Sequence, residues 1–415
     1  MFDLRLARST GPRHCKEPDQ SLEPSHAIGS ELNAGTTQFF QRCQIYRDTM
    51  VKAPSTPSED SQDNSSVQSV GQTEIGQLEP GEEAEWDRFV TSCPSGTFFH
   101  LTGWKTVVER VLGHPCFSLV ARRKGNITGV FPISWVRSRL FGDCLISMPL
   151  AVYGGICAND ENSHFDLLKA GRDLGNRLGV KYLEMRNRTE PFPSSLPGRD
   201  LYVTFTQDLS PGPERLFQSL PSDTRYMVRK SLKAGLDWTE DVSLREFYEI
   251  YARSVHRLGT PVFPEALFGL LLSEFPGQCR LFGVRKGRAP VAGVLCLYFK
   301  DQVMPYYAGA LVSFYRYAPN NFMYWSLISQ SYREGFRYFD FGRSKRGTGS
   351  FEFKSSWSMQ TIELPYRYQL VRAHDIPQLS PVDPKFQLPI ALWKRLPFSW
   401  TKVVGPRLIR CIPSI

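Results

Sequence analysis

A strand-like stretch followed by a glycine-rich basic loop is the part of the sequence best suited to chemistry. Residues 339–357 read Phe-Asp-Phe-Gly-Arg-Ser-Lys-Arg-Gly-Thr-Gly-Ser-Phe-Glu-Phe-Lys-Ser-Ser-Trp. Asp340 alternates with phenylalanines, so its side chain points to the opposite face of the strand from theirs. A carboxylate on an apolar strand is costly unless it is paired. Asp340 is therefore either the structural partner of an Arg or Lys, or a proton acceptor.

A second candidate site lies just before a helical pattern that begins near Asn321. Residues 316–325 read Arg-Tyr-Ala-Pro-Asn-Asn-Phe-Met-Tyr-Trp. Free backbone N–H groups at a helix start bind anions, phosphates in particular, and Arg316 adds positive charge. Arg316, Asn320 and Asn321 are therefore candidates to bind the pyrophosphate of a donor molecule, and the alternative, which the residues alone favour, is an ordinary capped helix.

Two further segments carry candidate groups for substrate handling. A helical pattern has His256 near its end and is broken by a Gly-Thr-Pro turn that contains Thr260. Histidine titrates near neutral pH, so His256 can act as a general acid or base; the alternative is an interaction with the helix dipole. In the strand pattern 306–310, small residues beside Tyr307 allow a ligand backbone to approach closely.

A basic stripe lies on the helical pattern of residues 220–235. Arg225, Arg229 and Lys233 recur at intervals of four residues, on one face, and Gly235 ends the pattern. Such a stripe is either a solvated surface or a receptor for an anionic substrate.

Composition and motif searches exclude several classes of protein. The net charge of +9 is too modest for a dedicated nucleic-acid-binding protein. The seven histidines lack metal-binding spacing, and there is no Walker, dinucleotide-binding or nucleophile-elbow motif. The Asp-Phe-Gly triplet lacks the other signatures of a protein kinase. The nine cysteines are scattered without a C-x-x-C pair, which indicates reduced thiols in a cytosolic protein rather than a disulfide framework.

The elements that must position these groups occur twice in the sequence. The segments from Cys116 and from Cys279 both predict a β-hairpin with a basic turn, at Gly125 and Gly287. Each is followed by a further strand, predicted at 146–155 in the first copy and 303–310 in the second.

The repeat continues with a helix, a glycine and a buried strand that carries one acid. The helical patterns 165–178 and 321–334 precede Gly-Val-Lys-Tyr-Leu-Glu-Met-Arg from Gly179 and Gly-Phe-Arg-Tyr-Phe-Asp-Phe-Gly from Gly335. Two matches in the same order indicate a duplication; the alternative is that any α/β protein reuses such units. The fold class predicted is α/β, with two tandem domains, each a mixed, mostly antiparallel sheet flanked by helices.

The predicted organisation has five parts. The polar stretch before the repeat is expected to be a disordered extension with one local helix at 39–50. The basic helix should connect two domains, and the Pro-rich, aromatic end of the chain should form an amphipathic tail. The predicted ranges are 1–80 for the extension, 81–215 for the first domain, 216–236 for the helix, 237–373 for the second, catalytic domain and 374–415 for the tail. No spanning helix or signal peptide is expected.

The chain resembles the FemAB-like branch of the GNAT acyltransferase superfamily over residues 82–412, and within it the proteins associated with the exosortase (XrtA)/PEP-CTERM system. The resemblance is carried by segments spread over both copies and the tail. They are Phe99-His-Leu-Thr-Gly-Trp104, the 220–235 helix, Leu258-Gly-Thr-Pro-Val-Phe263, Arg316-x-x-Pro-Asn320, Phe339-Asp-Phe-Gly-Arg-Ser344, Phe353-Lys-x-x-Trp357 and Ala391-Leu-Trp-Lys-Arg-Leu-Pro397.

The resemblance implies two tandem GNAT-like domains and formation of an amide bond. Lys354 matches the lysine of the family's Phe-Lys-x-x-aromatic motif, which implies substrate binding or stabilisation of an oxyanion. Asp340 or His256 would then take the proton of the attacking amine. Arg225, Arg229, Thr260, Tyr307, Arg343, Ser344 and Trp357 are the expected substrate-binding residues.

The expected activity is transfer of an acyl or aminoacyl group to an amine on a cell-envelope or exopolysaccharide precursor. No tightly bound cofactor is expected; acyl-CoA or aminoacyl-tRNA would be the donor substrate. The alternative is a non-catalytic GNAT-fold binding or scaffold protein. We expect a cytoplasmic protein, with peripheral contact of 391–412 to an anionic membrane as one alternative for the tail and packing across the second domain as the other.

Overall fold

The computed structural model of the chain describes residues 72–138, 141–190, 192, 195–376 and 384–413. Two mixed β-sheets form its frame, and helices flank both. The strands are β1 (Glu74–Gln77), β2 (Cys116–Arg123), β3 (Asn126–Val136), β4 (Cys144–Ser147), β5 (Cys157–Ala158), β6 (Tyr182–Arg186), β7 (Gly198–Arg199), β8 (Tyr202–Asp208), β9 (Asp237–Thr239), β10 (Cys279–Lys286), β11 (Ala289–Phe299), β12 (Gln302–Ala310), β13 (Tyr338–Asp340), β14 (Ser344–Lys345), β15 (Gln360–Glu363) and β16 (Tyr366–Leu370).

The helices pack on the faces of these sheets or on one another. They are α1 (Glu83–Ser92), α2 (Thr102–Leu112), α3 (Glu161–Leu178), α4 (Gly212–Ser219), α5 (Ser222–Leu232), α6 (Leu244–Leu258), α7 (Glu265–Glu274), α8 (Pro319–Arg333), α9 (Gly349–Ser355), α10 (Pro384–Arg395) and α11 (Phe398–Ile409). Short 3₁₀-helices occupy Phe98–His100 and Val312–Tyr317. Within the described ranges, no helix has the length and apolar character needed to cross a membrane.

The predicted duplication is visible in the order of the strands. The first sheet runs β1-β2-β3-β4-β6-β16-β7, and the second runs β9-β10-β11-β12-β13-β8-β14. Both predicted hairpins form, with bulges at equivalent places in β2 and β10. In each copy the strand after the helix pairs in parallel with the third strand, β6 with β4 and β13 with β12. The predicted α/β class with two mixed sheets is confirmed.

Each half of the chain contributes a strand to the other sheet. β8 follows the first copy in sequence but pairs with β13, with Thr206 opposite Asp340. β16 follows the second copy but pairs with β6, with Tyr366 opposite Arg186. The division of the strands between the two sheets therefore differs from the predicted ranges 81–215 and 237–373. These ranges remain a proposal for the bounds of the domains. Sequence patterns mark a strand but not its partner, and these two strands pair across the halves.

Several local predictions need correction. Residues 74–77, inside the predicted disordered extension, form β1, because antiparallel pairing with β2 satisfies their backbone although most of their side chains are exposed. The predicted helix 39–50 lies outside the described residues. The strand predicted at 146–155 stops at Ser147, and the rest is a buried loop. Helix α3 begins at Glu161 rather than 165, because the Asp160 side chain accepts a hydrogen bond from the backbone N–H of Ser163.

Candidate active site

Asp340 ends β13 and is fully buried. Its Oδ2 accepts hydrogen bonds from the Tyr153 hydroxyl (2.7 Å) and the Gln302 amide (3.2 Å). Its Oδ1 accepts from the Thr204 hydroxyl and from the backbone N–H of Gly342 (2.8 Å). Buried charges persist where such donors surround them. Four donors thus converge on the one carboxylate that the sequence singled out.

Asp340 joins elements that are far apart in the chain. Tyr153 lies in the loop after β4, Thr204 in β8 and Gln302 at the start of β12. The Arg188 guanidinium lies 3.9 Å from Asp340 Oδ2 and 5.3 Å from the centre of the Tyr153 ring. We call Tyr153, Arg188, Thr204, Gln302 and Asp340 the seam. Burial raises the pKa of Tyr153, and the charge of Asp340 adds to this, so the phenol stays protonated as a donor.

A cleft of about 190 Å³ opens beside the seam. Its lining combines aromatic and aliphatic side chains with several polar ones. Its lining includes Phe98, Phe99, Arg188, Lys300, Gln302 and Met304. The Lys300 ammonium donates to the carbonyls of Cys93 (2.7 Å) and Gly96 (3.3 Å), which fixes the loop before the first 3₁₀-helix. Apolar walls with a few polar groups are typical of small-molecule sites.

Lys354 lies on α9 and turns back onto the loop after β13. Its Nζ donates to the backbone carbonyls of Phe341 (2.6 Å), Gly342 (3.1 Å) and Arg343 (3.3 Å). Burial lowers the pKa of Lys354 to about 8, while the charge of Asp340 opposes this effect. Since an ammonium group has three hydrogens, these contacts use its donor capacity. Lys354 therefore positions the loop, and direct stabilisation of an oxyanion would require it to exchange one of these partners.

The other predicted residues of this loop and of α9 differ in how far they are buried. The Arg343 guanidinium is half-buried and lies 4.8 Å from the centre of the Tyr202 ring. Ser344 is buried, with its Oγ 3.3 Å from that of Ser350. Trp357, predicted to bind substrate, is only 2% exposed and packs edge-on against Phe341. That prediction needs correction, because this indole fills the core beneath the loop.

Arg316, Asn320 and Asn321 lie at the predicted helix start. Helix α8 begins at Pro319, two residues earlier than predicted, after Ala318 adopts a left-handed conformation. Arg316 is exposed, and Asn320 and Asn321 are half-buried in the first turn. Asn320 and Asn321 thus lie in the first turn of α8 and Arg316 shortly before it, and their role in binding an anion stays a prediction.

His256 does not belong to the seam. It lies in the last turn of α6, with its Nε2 3.3 Å from the carbonyl oxygen of Trp393 and its ring 6.0 Å from that of Phe398. The Thr260 carbonyl accepts a hydrogen bond from the Trp393 indole (3.1 Å). Both predicted residues therefore contact the C-terminal helices, because α10 and α11 pack against α6. The idea that His256 acts with Asp340 or Lys354 is not supported by these contacts.

The remaining predicted substrate residues occupy two other surfaces. Arg225 is half-buried and Arg229 exposed on α5, with the Arg229 guanidinium 5.7 Å from the Phe217 ring centre. Tyr307 is half-buried on β12, in ring contact with Tyr306 at 4.7 Å. Burial raises the pKa of Tyr307. Tyr307 thus packs against rings of α6 and α7 in its own half of the chain, those of Tyr251 and Phe268, whereas the Arg229 side chain of the basic stripe stays at the surface.

Sequence reasoning missed the partners of Asp340. Tyr153, Arg188 and Gln302 lie in loops or at a strand start, without any motif around them. One signal was present: the repeat aligns Glu184 with Asp340, and the two residues after each acid differ between the copies. Following the chain past that aligned acid would have drawn attention to Arg186 and Arg188.

Comparisons with known proteins agree with this architecture. Residues 222–355, from α5 to α9, match the family model described as an acetyltransferase (GNAT) domain. No curated protein matches the chain. A crystal structure of FemX aligns with a TM-score of 0.58 at 14% sequence identity, over 72% of this chain and 98% of that one. A conserved protein of unknown function from Bacteroides thetaiotaomicron aligns with a TM-score of 0.50 at 11% identity, over 72% of this chain and all of that one. At such identities the two alignments show the fold alone, whereas the family match identifies a GNAT-type domain in the second copy.

Proposed function

We propose that the chain is a FemAB-like N-acyltransferase or aminoacyltransferase. It would move an acyl or aminoacyl group to an amine on a cell-envelope or exopolysaccharide precursor. The second copy, which contains the matched GNAT domain, would carry out the reaction. Acyl-CoA or aminoacyl-tRNA is the donor substrate in this proposal, and the link to an exosortase/PEP-CTERM system belongs to it as well.

The observation that carries the proposal is the unpaired side of β12. β12 pairs with β13 only at Gln302 and Val303, yet it continues to Ala310. Among the described strands, none pairs with β12 on this side beyond Val303. An extended donor chain can therefore form hydrogen bonds with this backbone. The N-terminus of α8, with Arg316, follows β12 in the chain and suits a phosphate of the same donor.

The seam is where acceptor and donor would meet. In the reaction, the acceptor amine nitrogen forms a bond to the donor carbonyl carbon, and the bond from that carbon to sulfur or oxygen breaks. The proton that the amine loses ends on the sulfur or oxygen that leaves. Arg188 and Gln302 line the cleft and can orient the acceptor or the developing oxyanion. Asp340 holds Tyr153 and Gln302 in place, and Lys354 holds the adjoining loop.

The alternative is a GNAT-fold binding protein without catalysis. The complete set of donors on Asp340 favours this view in one respect, because a carboxylate with four partners needs no further proton to be satisfied. Under this alternative the cleft would bind the same precursor, and the unpaired side of β12 would bind no donor.

Donor profiling tests the proposal. Purified protein is incubated with amine acceptors, including amino sugars and lysine-containing peptides, and with acyl-CoAs or charged tRNAs, and the amide product is measured by mass spectrometry. Lys354→Ala should reduce transfer at least a hundredfold, because the loop loses its brace. Lys169→Ala on the exposed face of α3 is the matched control and should leave the rate unchanged. No product with any donor would reject the transferase and favour the binding protein. Equal transfer rates for both variants would reject the role of Lys354 in positioning the loop.

A further inference from the structure

The two C-terminal helices bury one face against the rest of the chain. Trp393 of α10 is 7% exposed and donates to the Thr260 carbonyl. On α11, a Cβ at Gly405 would lie 2.5 Å from the carbonyl oxygen of Val262, so the helix approaches that backbone as closely as only glycine permits. The tail is therefore docked along one side, as one of the two predicted alternatives required.

The other face of the same helices is apolar and exposed. Leu388 and Leu392 lie one turn apart on α10 and are 68% and 56% exposed. Trp400 and Val403 lie one turn apart on α11 and are 63% and 58% exposed. We call these four side chains the tail face. Single exposed apolar residues are common, but apolar side chains that cluster on a surface mark an interaction site, and here four are exposed on two consecutive helices.

Charge on this segment has a single sign. Residues 384–413 contain six lysines and arginines and no aspartate or glutamate. Four cations of the same segment are exposed: Lys394, Arg395, Arg407 and Arg410. Among the described residues, an ion pair joins Lys402 of the tail to Glu249 of α6, and Glu249 also lies 3.8 Å from Arg253. The charged side chains of the segment 384–413 are therefore all basic.

We propose that the tail face docks on an anionic lipid bilayer. Tryptophan favours the interface of a membrane, leucine and valine enter the outer acyl region, and lysine and arginine remain at the headgroups. A second copy of this chain is the less suitable partner, because it would bring two basic surfaces together. The proposal is independent of the transfer reaction, since vesicle binding requires neither donor nor acceptor.

Vesicle co-sedimentation of the full chain tests this. Vesicles of phosphatidylcholine alone are compared with vesicles that also contain phosphatidylglycerol, at low and at high salt. The protein should pellet with the anionic vesicles only, and high salt should release most of it. The double variant Trp400→Ser/Arg407→Glu should bind at least about tenfold more weakly, since it loses an interfacial indole and reverses one charge.

A matched variant separates docking from a general loss of surface charge. Phe165→Ser/Lys169→Glu removes an exposed aromatic group and reverses one exposed cation on α3, away from the tail. It should bind like the unaltered chain, and circular dichroism should show both variants folded. The proposal is wrong if the chain ignores anionic vesicles or if both variants lose binding equally. It is also wrong if sedimentation without vesicles shows a dimer that Trp400→Ser/Arg407→Glu dissolves.

Discussion

In the first copy, the strand that carries Glu184 ends in Arg186, whereas in the second copy the strand that carries Asp340 leads into Gly342 at the aligned position. The Arg186 guanidinium is completely buried. Its Nε donates to Glu184 (2.8 Å), and its terminal nitrogens donate to the carbonyls of Ala151 (3.0 Å) and Pro413 (3.2 Å). The first copy therefore has a buried arginine at this position, whose charge is neutralised by Glu184. The second copy has a glycine there, with a φ of +70°.

The difference separates the roles of the two copies. The Arg186 side chain fills the space at the end of β6. It also holds the loop after β4 through Ala151 and the segment after α11 through Pro413. In the second copy, Asp340 lacks such an arginine two residues on and takes its partners from across the seam instead. The first copy thus fills the aligned position with a buried ion pair, whereas the cleft beside Asp340 is lined by residues of both copies.

Removing the buried Arg186 guanidinium should cause the largest change in stability. Arg186→Ala leaves Glu184 buried without its partner, and loss of one member of a buried ion pair costs about 3–5 kcal/mol. Urea denaturation should show this loss. The double variant Glu184→Gln/Arg186→Met should be closer to the unaltered chain, because neither charge is then left alone. If Arg186→Ala were as stable as the double variant, the unpaired Glu184 would carry no energetic penalty, and the ion pair would not be needed at this position.

A smaller loss is expected at the seam in the second copy. Tyr153→Phe removes one of the four donors on Asp340 and should cost about 1–2 kcal/mol. It should also lower the transfer rate, because the two halves would no longer be held in register at the cleft. Thr206→Ser on the neighbouring strand is a mild control that keeps its hydroxyl. Unchanged stability and unchanged turnover in Tyr153→Phe would show that Asp340 does not depend on the Tyr153 hydroxyl.

Giving the second copy a side chain at the aligned position should have a modest effect on stability. Gly342→Ala places a Cβ on a left-handed residue, which costs about 1–2 kcal/mol, although the nearest atom, Met304 Sδ, is 3.6 Å away. We expect transfer to fall more than stability, because the loop braced by Lys354 would shift. Gly347→Ala, also left-handed but with open space around it, is the matched control. Equal loss of transfer in both variants would locate the effect in backbone strain rather than at residue 342.

The fold was largely predictable because the repeated strands, turns and helices have recognisable local sequence patterns. The hairpins from Cys116 and Cys279 have alternating strands and glycine turns, and both form where expected. The exchange of β8 and β16 was not predictable, since pairing between distant edges leaves no local mark. β1 was missed for the same reason: its side chains are mostly exposed, and only its backbone is paired.

The site was predictable in part. The sequence pointed to Asp340 and Lys354, and the structure places both beside the loop 341–343. It also suggested His256 and Trp357, but one contacts the tail and the other fills the core. Residue type suggested a role for each, whereas burial and contacts decide it. Tyr153 and Arg188 emerge only once the halves are folded together.

The smallest effect concerns the protonation of Lys354, which burial gives a pKa of about 8 against an ordinary value of 10.5. Between these values the unfolded chain holds a proton at this site that the folded chain has released. The site's contribution to stability therefore rises as the pH increases through this window. Lys354→Met cannot titrate, so the stability of the unaltered chain relative to this variant should increase from pH 8 to pH 10. Urea denaturation at several pH values measures this, with Lys169→Met as the control for an exposed lysine. A relative stability that stays flat or falls would mean that Lys354 is solvated. The loop of the second copy would then be open to water, in contrast to the buried Arg186 site of the first copy.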